Sequence, residues 1–94
     1  MKIPEYLKST YNMLFGAFPD GICEEYYWVI LYLLYDYMSD RNLALLMTFF
    51  VDKPLEIIMN DVYKVCYMDF NEGLLNKIKS ELDRYGFEEW KKEE

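Results

Sequence analysis

The side chains of this chain that could do chemistry are carboxylates, tyrosines and two thiols; its 94 residues include no histidine. That absence removes the commonest general base, the Ser–His and Cys–His nucleophile pairs, and imidazole metal ligands. Ser9, Ser39 and Ser80 stand where caps or surface suit them, and no Gly-x-Ser-x-Gly elbow occurs. The glycines are isolated, so no Gly-rich loop can cradle a phosphate. Asp20, Glu24, Glu25, Asp36 and Asp40 crowd one stretch of sequence and could exchange protons with a substrate. Each has a simpler use as a turn residue, a first-turn acid facing the helix dipole, or part of a solvated face.

Asp69-x-Asn71-x-Gly73 begins like a calcium loop. Such a loop needs a ligand at position five, Gly at six and Glu at twelve. Here Gly73 is fifth and Ser80 twelfth, so a capped helix start is the better account. Cys23 precedes a helix N-terminus, where a thiolate is stabilised, but Glu24 and Glu25 oppose that ionisation. Cys23 and Cys66 have no metal or redox spacing, and Met1-Lys2-Ile3-Pro4-Glu5 lacks the apolar stretch of a signal peptide. Free, mostly buried thiols in a reducing cytosol are expected. No catalytic residue, metal site or cofactor is assigned, and the chain is expected not to be an enzyme.

The least ordinary stretch runs from Ser9 to Asp40. It contains no Lys or Arg, but carries the five acids named above together with Tyr11, Tyr26, Tyr27, Tyr32, Tyr35 and Tyr37. A buried tyrosine needs a partner for its hydroxyl, which limits how many can enter a core, so some of these six should reach the surface. There they could lie flat with only their hydroxyls wet, or form a recognition surface in which aromatic anchors supply affinity and acids select a basic partner. The candidate partner-binding residues are Glu24, Glu25, Tyr27, Tyr35, Asp36, Tyr37 and Asp40. Tyr26, Tyr27 and Tyr37 pointing outward could instead form a self-association face.

The elements that must position these residues are helical. Pro4 opens a first helix with Leu7, Tyr11, Leu14 and Phe15 on one face and Gly16 as its C-terminal glycine. Phe18-Pro19-Asp20-Gly21 is a turn. A second helix, about Glu24 to Met38, is apolar all round from Tyr26 to Tyr35, so the others should pack against it. Ser39 or Asp40 caps a third, about Arg41 to Val51, with Leu43, Leu46, Met47 and Phe50 on one stripe. Pro54 restarts a fourth, with Leu55, Ile58, Val62 and either Val65 or Cys66 inward. Asn71 caps a fifth, about Glu72 to Tyr85, whose inner face is Leu74, Leu75, Ile78, Leu82 and Tyr85. After Gly86, Phe87 and Trp90 fold back as a hydrophobic clasp, leaving residues 91–94 as a frayed charged tail.

The expected fold is therefore all-α, a compact single-domain bundle of about five short helices over residues 1–90. At 53% hydrophobic residues, the core suffices without staples, since fully burying one large apolar side chain stabilises by roughly 1.5–3 kcal/mol. The apolar run of the second helix is half the roughly 20 residues of a membrane span. A net charge of −7 repels nucleic-acid phosphates and anionic membrane surfaces, so neither is an expected partner.

Phe18-Pro19-Asp20-Gly21-Ile22, then Tyr27, Ile30-Leu31 and Leu34, then Ser39-Asp40 resemble an all-helical, chiefly mycobacterial and actinobacterial family, domain of unknown function 3349. Asn71-Glu72 through Leu74, Ile78, Leu82, Gly86 and Phe87 is similar to that family's last helix and terminal Gly-aromatic pair. The resemblance covers about residues 14–87, implies a bacterial helical domain and implies no catalytic residues. Where the family has prolines, this chain has Cys23, Glu24 and Val29; where the family has a basic cluster, it has Tyr35, Asp36 and Tyr37. That exchange of charge argues against a shared partner.

Two functions are expected from different classes. The first is a non-catalytic cytoplasmic interaction protein binding a basic protein, for example as an inhibitor or immunity protein covering a toxin's active site. The alternative is a structural or regulatory homodimer, or a subunit of a larger assembly.

Overall fold

The computed structural model of the chain describes residues 3–93 and, among them, six α-helices and no strand. These are α1 (Lys8–Ala17), α2 (Glu24–Leu34), α3 (Asp40–Met47), α4 (Leu55–Val65), α5 (Glu72–Asp83) and α6 (Phe87–Glu93), with a short 3-10 turn, Glu5–Leu7, leading into α1. The caps follow from side-chain chemistry. Ser39 Oγ accepts the Asn42 N–H at 3.1 Å to start α3, and Asn71 Oδ1 accepts the Leu74 N–H at 3.0 Å to start α5. Asp40 is thus the first residue of α3 rather than its cap. Pro54 stands just before α4 in an extended conformation, its carbonyl accepting from the N–H groups of Ile57 and Ile58.

Helices α2 and α3 stop well before periodicity predicts, and α5 ends two residues early, at Asp83. The chain leaves α2 at Leu34, and the following turn lets the Tyr37 ring pack against Phe87 and Trp90, at centroid distances of 6.5 and 5.8 Å. The third helix stops at Met47. Thr48 Oγ1 donates to the Leu45 carbonyl at 2.6 Å, competing with the backbone just where an aromatic, β-branched run begins.

The end of the chain departs most from expectation. The clasp of Phe87 and Trp90 is a sixth helix that continues through Lys91, Lys92 and Glu93, where a frayed tail was expected; Glu94 lies outside the described residues. Gly86, at φ 92°, allows the reversal between α5 and α6. Glu88 and Glu89 in the first turn and Lys91 and Lys92 in the last complement the helix dipole. Trp90 anchors α6 to α1, its indole N–H donating to Thr10 Oγ1 at 2.7 Å.

The helices form two sets. In one, α3 and α4 pack on each other; in the other, α1, α5 and α6 do. Helix α2 contacts α4 and α5 and so joins the sets, and Tyr27, Val29, Ile30, Leu31 and Leu34 are fully buried there. Five consecutive or near-consecutive buried positions need partners on every side, which explains the central place of the apolar helix. The core continues through Leu14, Leu43, Leu46, Met47, Ile58, Val62, Val65, Ile78 and Leu82. A Cα radius of gyration of 12.2 Å matches the value of about 12 Å for one compact domain of this length.

Five expected inward or terminal positions are corrected. Phe15 and Tyr85 are about half exposed. Both cysteines are exposed and free, because Val65 takes the inner position at the end of α4 and Cys66 turns outward. Gly16 does not end α1; it lies within the helix beneath the Tyr85 ring, where a Cβ would meet Tyr85 Cδ1 at 2.5 Å.

Candidate interaction surface and buried charge cluster

The candidate partner-binding residues do not share one face. Glu24 and Glu25 are exposed in the first turn of α2, whereas Tyr35, Asp36, Tyr37 and Asp40 lie at its far end and the start of α3. At 1.5 Å per residue, the two groups are about 15 Å apart along the helix axis. Tyr27 is removed from the surface altogether: it is fully buried, because its position on α2 faces the core and its hydroxyl finds a partner there. An outward Tyr26–Tyr27–Tyr37 face is therefore not formed. Tyr26 packs edge-on against Phe18, and Tyr37 packs against α6.

Nor is the acidic stretch free of bases in space. Lys53, from the turn before α4, reaches Glu24 Oε2 at 3.2 Å. Lys77 of α5 lies 5.4 Å from the Tyr26 ring centroid, and its hydrogen bond with Tyr26, helped by the Glu25 charge, holds its pKa above the ordinary lysine value. Lys91 of α6 stands 5.9 Å from the Tyr37 ring. Lysines from the turn before α4, from α5 and from α6 thus reach the start of α2 and the turn that follows it. Among the described residues, Asp36 and Asp40 take part in no ion pair, so the acidic character survives at the C-terminal end of α2.

The one buried charge among the described residues is Asp61, 5% exposed on α4. Tyr27 donates its hydroxyl to Asp61 Oδ2 at 2.7 Å, and Lys53 Nζ lies 3.4 Å from the same oxygen. Lys53 Nζ is also 4.0 Å from the Tyr27 ring centroid and 5.3 Å from that of Trp28. The indole N–H of Trp28 donates to the Glu24 oxygen that meets Lys53, at 2.9 Å. One ammonium is therefore held by two carboxylates and two rings. Burial first, then the hydrogen bond and charge of Asp61, and finally Glu24, push the Tyr27 hydroxyl well above the ordinary phenol range. No buried side-chain nitrogen or oxygen among the described residues lacks a partner, so this cluster is internally satisfied.

The most exposed aromatic residues lie elsewhere, at the end of α4. Tyr67 is 89% exposed and Tyr63 54%, with exposed Cys66 and Met68 between and beside them. Tyr35 joins this surface from α2: partial burial, then neighbouring Asp36, Cys66 and Tyr32, hold its hydroxyl above the ordinary phenol pKa. Tyr32 in turn packs on Tyr35 and Phe70, at 6.0 and 5.0 Å between ring centroids. Asp36 and Asp69 border the group, and both are exposed. Tyr63 and Tyr67 were not among the candidates, although the inward stripe Ile58, Val62, Val65 already leaves Tyr63 on the opposite side of α4.

A second aromatic group lies on α1. Tyr11 stacks on Phe15 at 5.9 Å and meets Phe49 and Phe50 at 6.3 and 5.1 Å, leaving Phe15 half exposed on a stretch without charge from Ser9 to Pro19. Among the described residues there is no enclosed pocket, no group of three side chains able to hold a metal ion, and no helix long and apolar enough to cross a membrane.

Compared with known protein families, with curated proteins and with solved structures, the chain matches none.

Proposed function

We propose that this chain is a non-catalytic protein–protein interaction domain that binds a basic protein partner through the surface joining the ends of α2 and α4. The observation that carries this reading is the exposure of Tyr67 and Tyr63 beside Tyr35 and the acids Asp36 and Asp69. Tyrosines offer large, rigid contact area at little entropic cost, and carboxylates around them select and steer a cationic partner. Of the acidic candidates at the start of α2, Glu24 is paired with Lys53, and Glu25 stands near Lys77 without an ion pair. The binding role is therefore assigned to Tyr35, Asp36, Asp40 and the α4 terminus, where acids adjoin exposed tyrosines. An inhibitor or immunity protein, masking the active site of a basic toxin or nuclease, is the most concrete form of this function. The exposed free thiols are in keeping with a reducing compartment, and we assign the domain to the cytoplasm.

The test is affinity capture from the native cell extract at low and moderate salt, with the wild-type chain beside Asp36→Lys and Tyr67→Ala. The reading requires one basic protein, retained by wild type, weakened by salt and lost with both variants. Equal retention by all three chains would sink it.

The Tyr11–Phe15–Phe49–Phe50 group supports a second reading, a homodimer formed through α1. Two copies that each carry −7 repel one another, and an uncharged aromatic face is where such copies could meet. Sedimentation over a wide concentration range decides this. A dimer abolished by Phe15→Glu supports it, and a monomer at the highest concentration excludes it.

A further inference from the structure

We propose that Glu24, Tyr27, Trp28 and Asp61 form a binding site for an alkylammonium group, and that Lys53 is its tethered, displaceable occupant. A lysine fixed only by a salt bridge needs one carboxylate, yet this ammonium has Glu24 Oε2 at 3.2 Å, Asp61 Oδ2 at 3.4 Å, and the rings of Tyr27 and Trp28 within cation–π range. The walls are set independently of Lys53. Tyr27 is fully buried and orients Asp61 through its hydroxyl, while the Trp28 indole N–H orients Glu24. The two rings meet edge-on, with centroids 5.3 Å apart and planes at 77°, forming a corner into which a cation fits.

The occupant comes from a turn, whereas Tyr27, Trp28 and Asp61 stand on helices; Glu24 is the outermost wall, its side chain 67% exposed. Lys53 belongs to the turn between α3 and α4, is flanked by exposed Asp52 and Pro54, and keeps 23% of its side chain in contact with solvent. Its withdrawal returns an ammonium to water and leaves an acidic, aromatic-walled notch open at the surface. A second primary ammonium would restore every interaction that is lost. The ligand class is therefore a primary alkylammonium, supplied either by a free amine or by a lysine side chain of another protein. This site is distinct from the surface at the ends of α2 and α4, and the proposal stands whether or not that surface binds a partner.

Competition with a tether has a measurable consequence. A tethered group weakens a competitor by a factor of one plus its effective concentration over its own dissociation constant. With an effective concentration of about 1 mM and a dissociation constant of about 0.1 mM, removing Lys53 should strengthen binding of an external amine about tenfold. The experiment uses the full chain with Lys53→Ser, titrated with n-propylammonium chloride against sodium chloride at equal ionic strength. Trp28 and Trp90 supply two indole N–H resonances, one in the site and one buried against Thr10. The proposal requires a saturable shift of the Trp28 resonance with Trp90 unmoved, about tenfold weaker binding to wild type, and weakened binding when Glu24→Gln is added. Should Lys53→Ser fail to fold, recovery of folding by propylammonium but not by sodium supports the site, and absence of recovery overturns it. A folded Lys53→Ser chain whose Trp28 resonance responds equally to both salts also overturns it. Titration with Nα-acetyl-lysine amide then separates the sources: binding comparable to propylammonium supports a partner's lysine, and binding of propylammonium alone supports a free amine.

Discussion

The indole N–H of Trp90 donates to Thr10 Oγ1 at 2.7 Å, a bond between two buried side chains 80 positions apart. It ties the last helix to the first and holds Phe87 and Trp90 over the core. Thr10→Val preserves shape but leaves the indole N–H buried without an acceptor, at a cost of roughly 1–3 kcal/mol. Thr10→Ser should retain most of the wild-type stability. Urea unfolding of the three chains checks this, and equal midpoints for valine and threonine would show that the bond contributes nothing.

Gly16 and Tyr85 make a second cross-chain contact, and it has a sign that can be tested. In a helix interior Gly→Ala is ordinarily favourable by about 1 kcal/mol, and in the last turn, where Gly16 lies, by less. Here the new methyl would stand 2.5 Å from Tyr85 Cδ1, so the ring must swing off α1. Gly16→Ala should therefore destabilise the wild-type chain by roughly 1 kcal/mol, yet stabilise a Tyr85→Ser chain. The same sign in both backgrounds would mean that the ring does not constrain Gly16.

Tyr27 predicts an alkaline limit to stability. Its folded-state pKa is raised above the ordinary value of 10.0, chiefly by burial and then by the bond to Asp61. The unfolded chain therefore releases a proton near pH 10 that the folded chain retains, so stability is fully present below that pH and falls as pH rises. The limiting slope is about 1.4 kcal/mol per pH unit for one group. Tyr27→Phe should cost roughly 1–3 kcal/mol at neutral pH, because Asp61 loses a donor, and should lessen the fall above pH 10. Parallel pH profiles for both chains would dismiss the assignment. Partly exposed Tyr35 shifts in the same direction, which is why the comparison needs the single variant.

Cys23 and Cys66 should each react with a thiol reagent in the folded protein, at rates close to those of the unfolded chain, since both side chains are exposed. Cys66 should be the more affected by its setting, because Sγ donates to the Tyr63 carbonyl at 3.3 Å and stands near Tyr35. Slow reaction that accelerates only in denaturant would restore the expectation of buried thiols.

Tyr67→Ala and Asp36→Lys should alter unfolding free energy by no more than about 0.5 kcal/mol, as surface substitutions without buried partners do. Both residues are exposed, Tyr67 at 89%. A larger loss would assign them a structural role and remove the basis for using them as probes of partner binding.

Local chemistry in the sequence was enough to determine the helical class and most element starts. Ser39 and Asn71 carry cap oxygens, Pro54 breaks the chain just before α4, and the stripe Ile58, Val62, Val65 repeats with helical period. The central place of α2 was legible too, because a cylinder apolar all round must be covered. Other features depended on neighbours that no local pattern names. Phe87 to Glu93 holds as a helix because Thr10 and Tyr37, far away in sequence, receive Trp90 and Phe87. Tyr27 enters the core because Asp61, 34 positions away, accepts its hydroxyl. The candidate site was the least legible part, and for the same reason. From Ser9 to Asp40 the sequence is without a base, yet Lys53, Lys77 and Lys91 converge on its tyrosines and acids once the helices pack. Composition counts charges along the chain, whereas electrostatic interaction depends on distance through space, and only the tertiary structure sets those distances.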